Sequence, residues 1–386
     1  MRRLASAVVF GAALVLVASC GSRTGLFGGI DDIPDVPDGA TTMDSPSLPD
    51  ARPDGAVACT PGRFAFSRAI AQLMFVIDRS GSMAFSLDGI QPNPVGGLPT
   101  GVLSRWQVLH NGLTKAIVPF DNTIAMGAKF YPEVSPPGPG DSDDGCLTDV
   151  GVGLAPAPGN AKQILDVFDT TMPLGGTPTS EAIRLAAQYL STARGVARTM
   201  IVATDGAPNC NADLDQESCL CTVMLPNGTN VCKGAENGQN CLDDRRTISV
   251  VKDIFDTQKI PVYVIGIGGA EQPAFLRVLD DLAVAGGRPK PTSPKHYSVQ
   301  TEAEMNAALA SISSSVAQCT FLTPSAPTDP SAITVEIDGK RIARDTTHTN
   351  GWDWVDQAYG TLAFFGSACD AASKQNPEIS GVIRCD

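Results

Sequence analysis

Basic residues are scarce in this sequence of 386 residues: 28 Lys and Arg stand against 41 Asp and Glu, a formal charge of −13. No stretch gathers the clustered cations on which phosphate binding draws, which argues against a nucleic-acid partner. Histidine is nearly missing, with only His110, His296 and His348, and no Cys-x-x-Cys pair occurs, so nothing points to a transition-metal site of the Cys/His kind. There is no G-x-S-x-G elbow, no lysine-bearing phosphate loop and no evident general base, so the chain reads as a non-enzyme. The apolar run at residues 4–17 is too short to span a bilayer. What remains, 43% hydrophobic and 18% charged, is enough to bury a full core.

The first residues read as an address. Met1-Arg2-Arg3, the apolar run and Val17-Ala18-Ser19-Cys20 form a secretory signal, and small residues leading into a cysteine resemble the lipobox of bacterial lipoproteins. That resemblance implies cleavage of residues 1–20 to leave a lipidated Cys20, and thus a membrane lipoprotein of the bacterial cell envelope. Glycine rather than aspartate after Cys20 is consistent with the outer membrane or cell surface. Without Arg2 and Arg3 the chain keeps 26 basic and 41 acidic side chains, a formal charge of −15. Residues 21–58, rich in Gly, Pro, Asp and Ser, read as a flexible tether.

Ten further cysteines, an even number in an exported chain, predict up to five disulfides rather than zinc. Five fall in residues 206–242, a stretch without periodicity that reads as a stapled insertion. Within it Asn209, Asn211, Asp213 and Asp215 alternate like the opening of a calcium loop, but the glycine and late glutamate of an EF-hand are missing; Ca2+ there stays an open alternative. Cys59 and Cys319 bracket residues 59–319 and are expected to pair, while Cys369 and Cys385 are expected to staple the C-terminal unit.

Leu73-Met74-Phe75-Val76-Ile77 is an apolar run of β-formers, and oxygen-bearing Asp78, Ser80 and Ser82 follow it at alternate positions. A buried strand running into a ligand loop suits a hard divalent cation; an ordinary Ser/Gly turn would look the same. Leu174 to Thr179 is a glycine-rich turn opening an amphipathic helix, and Met200 to Gly206 is a second buried strand ending in Asp205-Gly206. Helical spacing at Trp106, Leu109, Leu113 and Ile117, at Ile183, Ala186 and Leu190 (N-capped by Thr179 or Ser180), and at Ile248, Val251 and Phe255 alternates with strands at 123–131, 198–204 and 261–268. Such βα alternation predicts an α/β fold, a mostly parallel doubly wound sheet, whose ligands sit beyond the carboxyl ends of the strands.

In that order the three segments resemble the metal-ion-dependent adhesion site of von Willebrand factor type A domains: D-x-S-x-S, a lone threonine and a lone aspartate. The resemblance assigns Asp78, Ser80, Ser82, Thr177 and Asp205 as ligands of Mg2+ or Mn2+, with an Asp or Glu carboxylate of a partner protein completing the sphere. It implies a lipid-anchored binding or adhesion module whose loops at 84–102, 132–155 and 206–242 select the partner. The alternative is a structural envelope protein that makes contact through the disulfide loop or the C-terminal unit without metal. Residues 320–386 lie beyond the resemblance and read as a small β-rich, disulfide-stapled unit, with a hairpin at 333–342 and strands at 351–354 and 361–365.

Overall fold

The computed structural model describes residues 56–385 except 70, 94–95, 134–143, 150–152, 191–196, 224–229, 234, 236–237, 269–272 and 375; Cys20, the signal and nearly all of the tether lie outside these residues. The chain first lays down two short strands, β1 (Gly62–Ala65) and β2 (Ser67–Arg68), and then the long β3 (Ala71–Asp78). Helices and strands follow in turn: α1 (Arg105–Ile117), β4 (Ile124–Tyr131), β5 (Leu154–Ala157), α2 (Ala161–Thr170), α3 (Thr179–Leu190), β6 (Ala197–Thr204), α4 (Asp244–Gln258), β7 (Val262–Ile267), α5 (Pro273–Ala285), β8 (Tyr297–Val299) and α6 (Glu302–Gln318). Strands then dominate, as β9 (Thr320–Leu322), β10 (Ile333–Ile337), β11 (Lys340–Ile342), β12 (Gly351–Asp356), β13 (Thr361–Phe365) and β14 (Ile379–Ile383), with α7 (Ser367–Ala372) before the last.

β3 owes its place to its side chains. Leu73, Phe75 and Ile77 point to one face, into a core shared with α1, α2 and α6; Met74 and Val76 point to the other, against α3, α4 and α5. A strand covered on both sides must be apolar throughout, which is why its sequence does not alternate. The sheet runs β5-β4-β3-β6-β7-β8, parallel except for β5. The expected doubly wound α/β fold is therefore present. The end of the expected loop at 132–155 is instead the start of β5, a short edge strand holding Pro156, and an edge is where a sheet tolerates proline.

A second body is built from both sides of this unit in the sequence. Two four-stranded sheets, β1-β14-β10-β11 and β12-β13-β9-β2, enclose Phe321, Val335, Trp352, Leu362 and Phe364. The expected hairpin at 333–342 is there, turning at Asp338-Gly339. Trp352 is 2% exposed and belongs to the core, while the Trp354 indole N–H donates to the Pro330 carbonyl.

Two expectations fail here. Residues 62–68, assigned to the α/β unit, pair with β14 and β9, so the α/β unit is an insertion into a β-sandwich rather than a neighbour of one. For the same reason the expected pairings fail: Cys59 lies beside β14 and bonds Cys385, not Cys319, and Cys319 bonds Cys369, so Cys369 and Cys385 do not staple the C-terminal unit to itself. The ten cysteines form five disulfides, the others being Cys146–Cys210, Cys219–Cys241 and Cys221–Cys232.

Candidate metal-binding site

β3 and β6 are adjacent and parallel, so their carboxyl ends deliver Asp78 and Asp205 to the same edge of the sheet. Both are buried, Asp78 completely. Asp78 Oδ1 accepts from the Ser80 backbone N–H at 2.7 Å, which folds the loop back on the strand, and Oδ2 accepts from the Thr204 hydroxyl at 2.6 Å. Ser80 and Ser82 Oγ lie 3.1 Å apart, and the Ser82 hydroxyl donates to Asp205 Oδ1 at 3.0 Å. Four of the five anticipated residues are thus joined in one hydrogen-bonded chain.

Thr177 enters through the backbone. The Gly81 N–H donates to the Gly175 carbonyl at 3.0 Å and Leu174 N–H to the Arg79 carbonyl at 2.8 Å, seating the Thr177 turn against the Asp78 loop. Gly175 takes φ +88°, a region open to glycine at little cost. Thr177 is buried, its N–H held by Asn209 Oδ1 at 2.6 Å and its carbonyl accepting from the Asn209 N–H at 2.9 Å. α3 starts at Thr179, so Thr179 and Ser180 are the first residues of that helix rather than its N-cap, and Ala182 N–H reaches the Pro178 carbonyl.

Two of the loops expected near the rim, 132–155 and 206–242, are tied to each other covalently. Cys146–Cys210 joins the loop after β4 to the insertion, and its sulfurs press on Gly176: a Cβ there would stand 2.7 Å from Cys210 Sγ and 3.3 Å from Cys146 Sγ. Asn209, Asn211, Asp213 and Asp215 do not form a calcium loop. Asn209 fixes Thr177, Asn211 Nδ2 donates to Asp243, Asn211 Oδ1 accepts from the Asp213 N–H, and Asp215 accepts from Glu217 N–H and the Ser218 hydroxyl. Sulfurs of Cys219, Cys232 and Cys241 gather within 4.8 Å, but all three are in disulfides and offer no thiolate.

Electrostatics set this edge apart. Burial, then the nearby charge of Asp205, pushes the Asp78 carboxyl up to about 7, against the hydrogen bonds from Thr204 and Ser80. Burial also raises Asp205, opposed by the charge and hydrogen bond of Arg105 and the Ser82 hydroxyl. Arg105, the first residue of α1, places Nη1 2.8 Å from Asp205 Oδ2, both side chains being under 5% exposed. No motif announces Arg105, and Asn209 stands out only through the calcium-like alternation, which does not reveal its role at Thr177. A cation in the first turn of a helix opposes the macrodipole, however, and that misfit in Ser104-Arg105 is the one cue available in sequence. Arg79, between Asp78 and Ser80, clamps the Pro132 carbonyl with Nε and Nη2 at 3.2 and 2.7 Å.

The carboxylates of Asp78 and Asp205 and the hydroxyls of Ser80 and Ser82, with that of Thr177 in the adjoining turn, would make an all-oxygen donor set, which suits Mg2+ or Mn2+. One guanidinium against two buried carboxylates leaves a deficit of positive charge in a desolvated place, which a cation would relieve.

No family model matches the sequence, and no curated protein does. Among solved structures, the PilB minor pilin of Streptococcus sanguinis is similar over 64% of this chain and 61% of its own, with TM-score 0.44 and 17% identity. The vWF domain of the type V pili tip protein Mfa5 from Porphyromonas gingivalis is similar over 64% of this chain and 95% of its own (TM-score 0.39, 10% identity), and the manganese-loaded Plasmodium vivax TRAP protein over 65% and 76% (TM-score 0.39, 16% identity). This chain spans about three-fifths of the pilin's length.

Proposed function

We propose that this protein is a binding module that grips a carboxylate of a partner protein through a divalent cation held by Asp78, Ser80, Ser82, Thr177 and Asp205. The observation that carries the reading is the convergence of Asp78, Ser80, Ser82 and Asp205 at the carboxyl ends of two adjacent strands. The bound Mg2+ or Mn2+ would supply an electrophilic point with exchangeable water positions, where an incoming Asp or Glu makes a charge-assisted bond. The chain does the rest. Thr204 and the Ser80 N–H fix Asp78, Ser82 aligns Asp205, and Asn209 holds the Thr177 turn.

Leu147, next to Cys146, and Met172 and Leu174, just ahead of the Thr177 turn in the chain, expose apolar side chains, Met172 to 81%. They would give a partner contact area beyond the single ionic bond. We read the site as binding rather than catalytic. With Cys20 lipidated, the module would stand at the outer membrane or cell surface of a bacterium; mass spectrometry of the mature N-terminus tests that part.

The site itself is tested by the melting temperature of the folded chain with Mg2+, Mn2+ or Ca2+ against EDTA. A ligand that binds only the native state stabilises it by about 2.7 kcal/mol at a hundredfold Kd. The expected outcome is a metal-dependent rise that Asp78→Ala removes; an equal rise in that variant would overturn the assignment.

A further inference from the structure

Resting on the metal-site reading above, we infer that the cleft beside the Asp78 loop receives an aromatic side chain of the partner, one to three residues from the acid that meets the metal. The cleft encloses about 610 Å3 between α2 and the β4–β5 edge of the sheet, and Phe130, Leu147, Leu154, Ile164 and Val167 form much of its wall. Three segments tie it to the metal site. Arg79, between the candidate ligands Asp78 and Ser80, lines the cleft with its guanidinium held on the Pro132 carbonyl. Leu147 stands two positions after Gly145, whose carbonyl accepts from the Gly176 N–H at 2.6 Å, next to Thr177. Thr170 and Thr171 line the end of α2, and Leu174, shortly after them, donates its N–H to the Arg79 carbonyl at 2.8 Å. An extended partner segment advances about 3.3–3.6 Å per residue, so a side chain one to three positions from the bound acid reaches across Arg79 into the cleft.

The walls decide what enters. Arg79 is half-buried, burial lowers its pKa, and among the described residues no carboxylate pairs with it. A second acid of the partner would pair with this guanidinium, but only by burying its carboxylate among apolar side chains at a cost in hydration. An aliphatic group would suit the walls and leave the guanidinium unmatched. An aromatic ring meets both demands, giving apolar area to the walls and a face that attracts the cation, more strongly when both are removed from water. The chain thus reads two side chains of its partner. The metal takes the acid and the cleft takes the ring beside it, and the fixed distance between them separates this partner from others that carry an acid alone.

The test uses the full chain and dye-labelled peptides that carry one Asp and, one to three positions to either side of it, Phe, Ala or Glu. Fluorescence anisotropy is read with saturating Mn2+ and with EDTA. With Mn2+, the best-spaced Phe peptide binds about tenfold or more tighter than its Ala counterpart, the gain expected from burying one aromatic side chain. Val167→Trp, which fills the cleft, removes that gain and leaves the Ala peptide within about twofold of wild type, as for sites that share no partner. Equal affinity of Phe and Ala peptides at every spacing, or a Glu peptide that matches Phe, overturns the inference and leaves the metal site standing. A Phe preference that survives EDTA overturns it too, because the ring would then be held without the acid. So does a preference that persists in folded Val167→Trp. Should that variant fold poorly, Leu147→Ala, on an exposed part of the wall, takes its place, and a preference unchanged there counts against the cleft in the same way. Peptides that fail to bind a chain whose melting temperature Mn2+ raises overturn the inference alone; no rise with any ion overturns the metal-site reading and the inference with it.

Discussion

The carboxyl edge of the α/β sheet and the interior of the β-sandwich are both shielded from water, and they are filled with opposite chemistry. The sandwich packs Trp352, Phe364, Phe321 and Val335 against one another and is closed by Cys59–Cys385 and Cys319–Cys369. The sheet edge instead buries Asp78, Asp205 and Arg105 in hydrogen-bonded contact. The first arrangement follows from the general gain on burying apolar surface. The second works against it, because removing charges from water costs about several kcal/mol per ion. Buried charged groups of this kind mark a candidate functional site, and the metal-site proposal accounts for them with a ligand that needs the charge.

The contrast can be broken most severely in the sandwich. Trp352→Ala should cost about 3–5 kcal/mol in urea unfolding, as for large aromatic truncations in cores, while leaving the stabilisation added by Mg2+ unchanged, because distant sites are additive. A lost metal response in that variant would show that the two regions are not independent. Smaller in size is the response to pH. Asp78, pushed up to about 7 from 3.8, supports the metal-free fold fully below its unfolded value, and that support is lost as pH rises through about 7. Metal binding needs the ionised carboxylate, so the rise in melting temperature with Mn2+ should be larger at pH 8 than at pH 5.5. Asp78→Asn, which neither ionises nor neutralises the metal's charge, should flatten both trends in thermal melts across that range. The mildest change is Gly176→Ala. Its Cβ would meet Cys210 Sγ at 2.7 Å and Asn209 Oδ1 at 3.0 Å, shifting the turn that carries Thr177. We expect a loss of about 1 kcal/mol, at the low end for overpacking, and a severalfold weaker Mn2+ affinity by calorimetry.

Much of the α/β unit was legible because its information is local. Leu73 to Ile77 can hardly be anything but a strand covered on both faces, and Asp78 and Asp205 could be placed at strand ends from sequence order alone. The sandwich was not legible to the same degree. Gly62↔Ile383 and Arg63↔Val382 join residues more than three hundred positions apart, and no local pattern encodes that pairing. Arg63 to Arg68 is moreover too short and too polar to stand out as strand. The disulfide partners followed from the same long-range pairing and were missed with it. Within the site, oxygen ligands announced themselves by spacing, whereas Arg105 reaches Asp205 across a hundred residues and only its awkward place at a helix start hinted at a partner.

The insertion of the α/β unit into the sandwich has a mechanical consequence. β2 leads into β3 within three residues, and β3 ends at Asp78, so one continuous segment connects the sandwich to the opposite edge of the sheet. A pull between the N-terminal side of Cys59 and an object held at Asp78 would run along β3, parallel to its neighbours β4 and β6. In that direction all of the interstrand hydrogen bonds share the load at once instead of opening one after another. At the near end, Cys59–Cys385 passes part of the tension covalently to β14, so that β1 cannot peel from its partner.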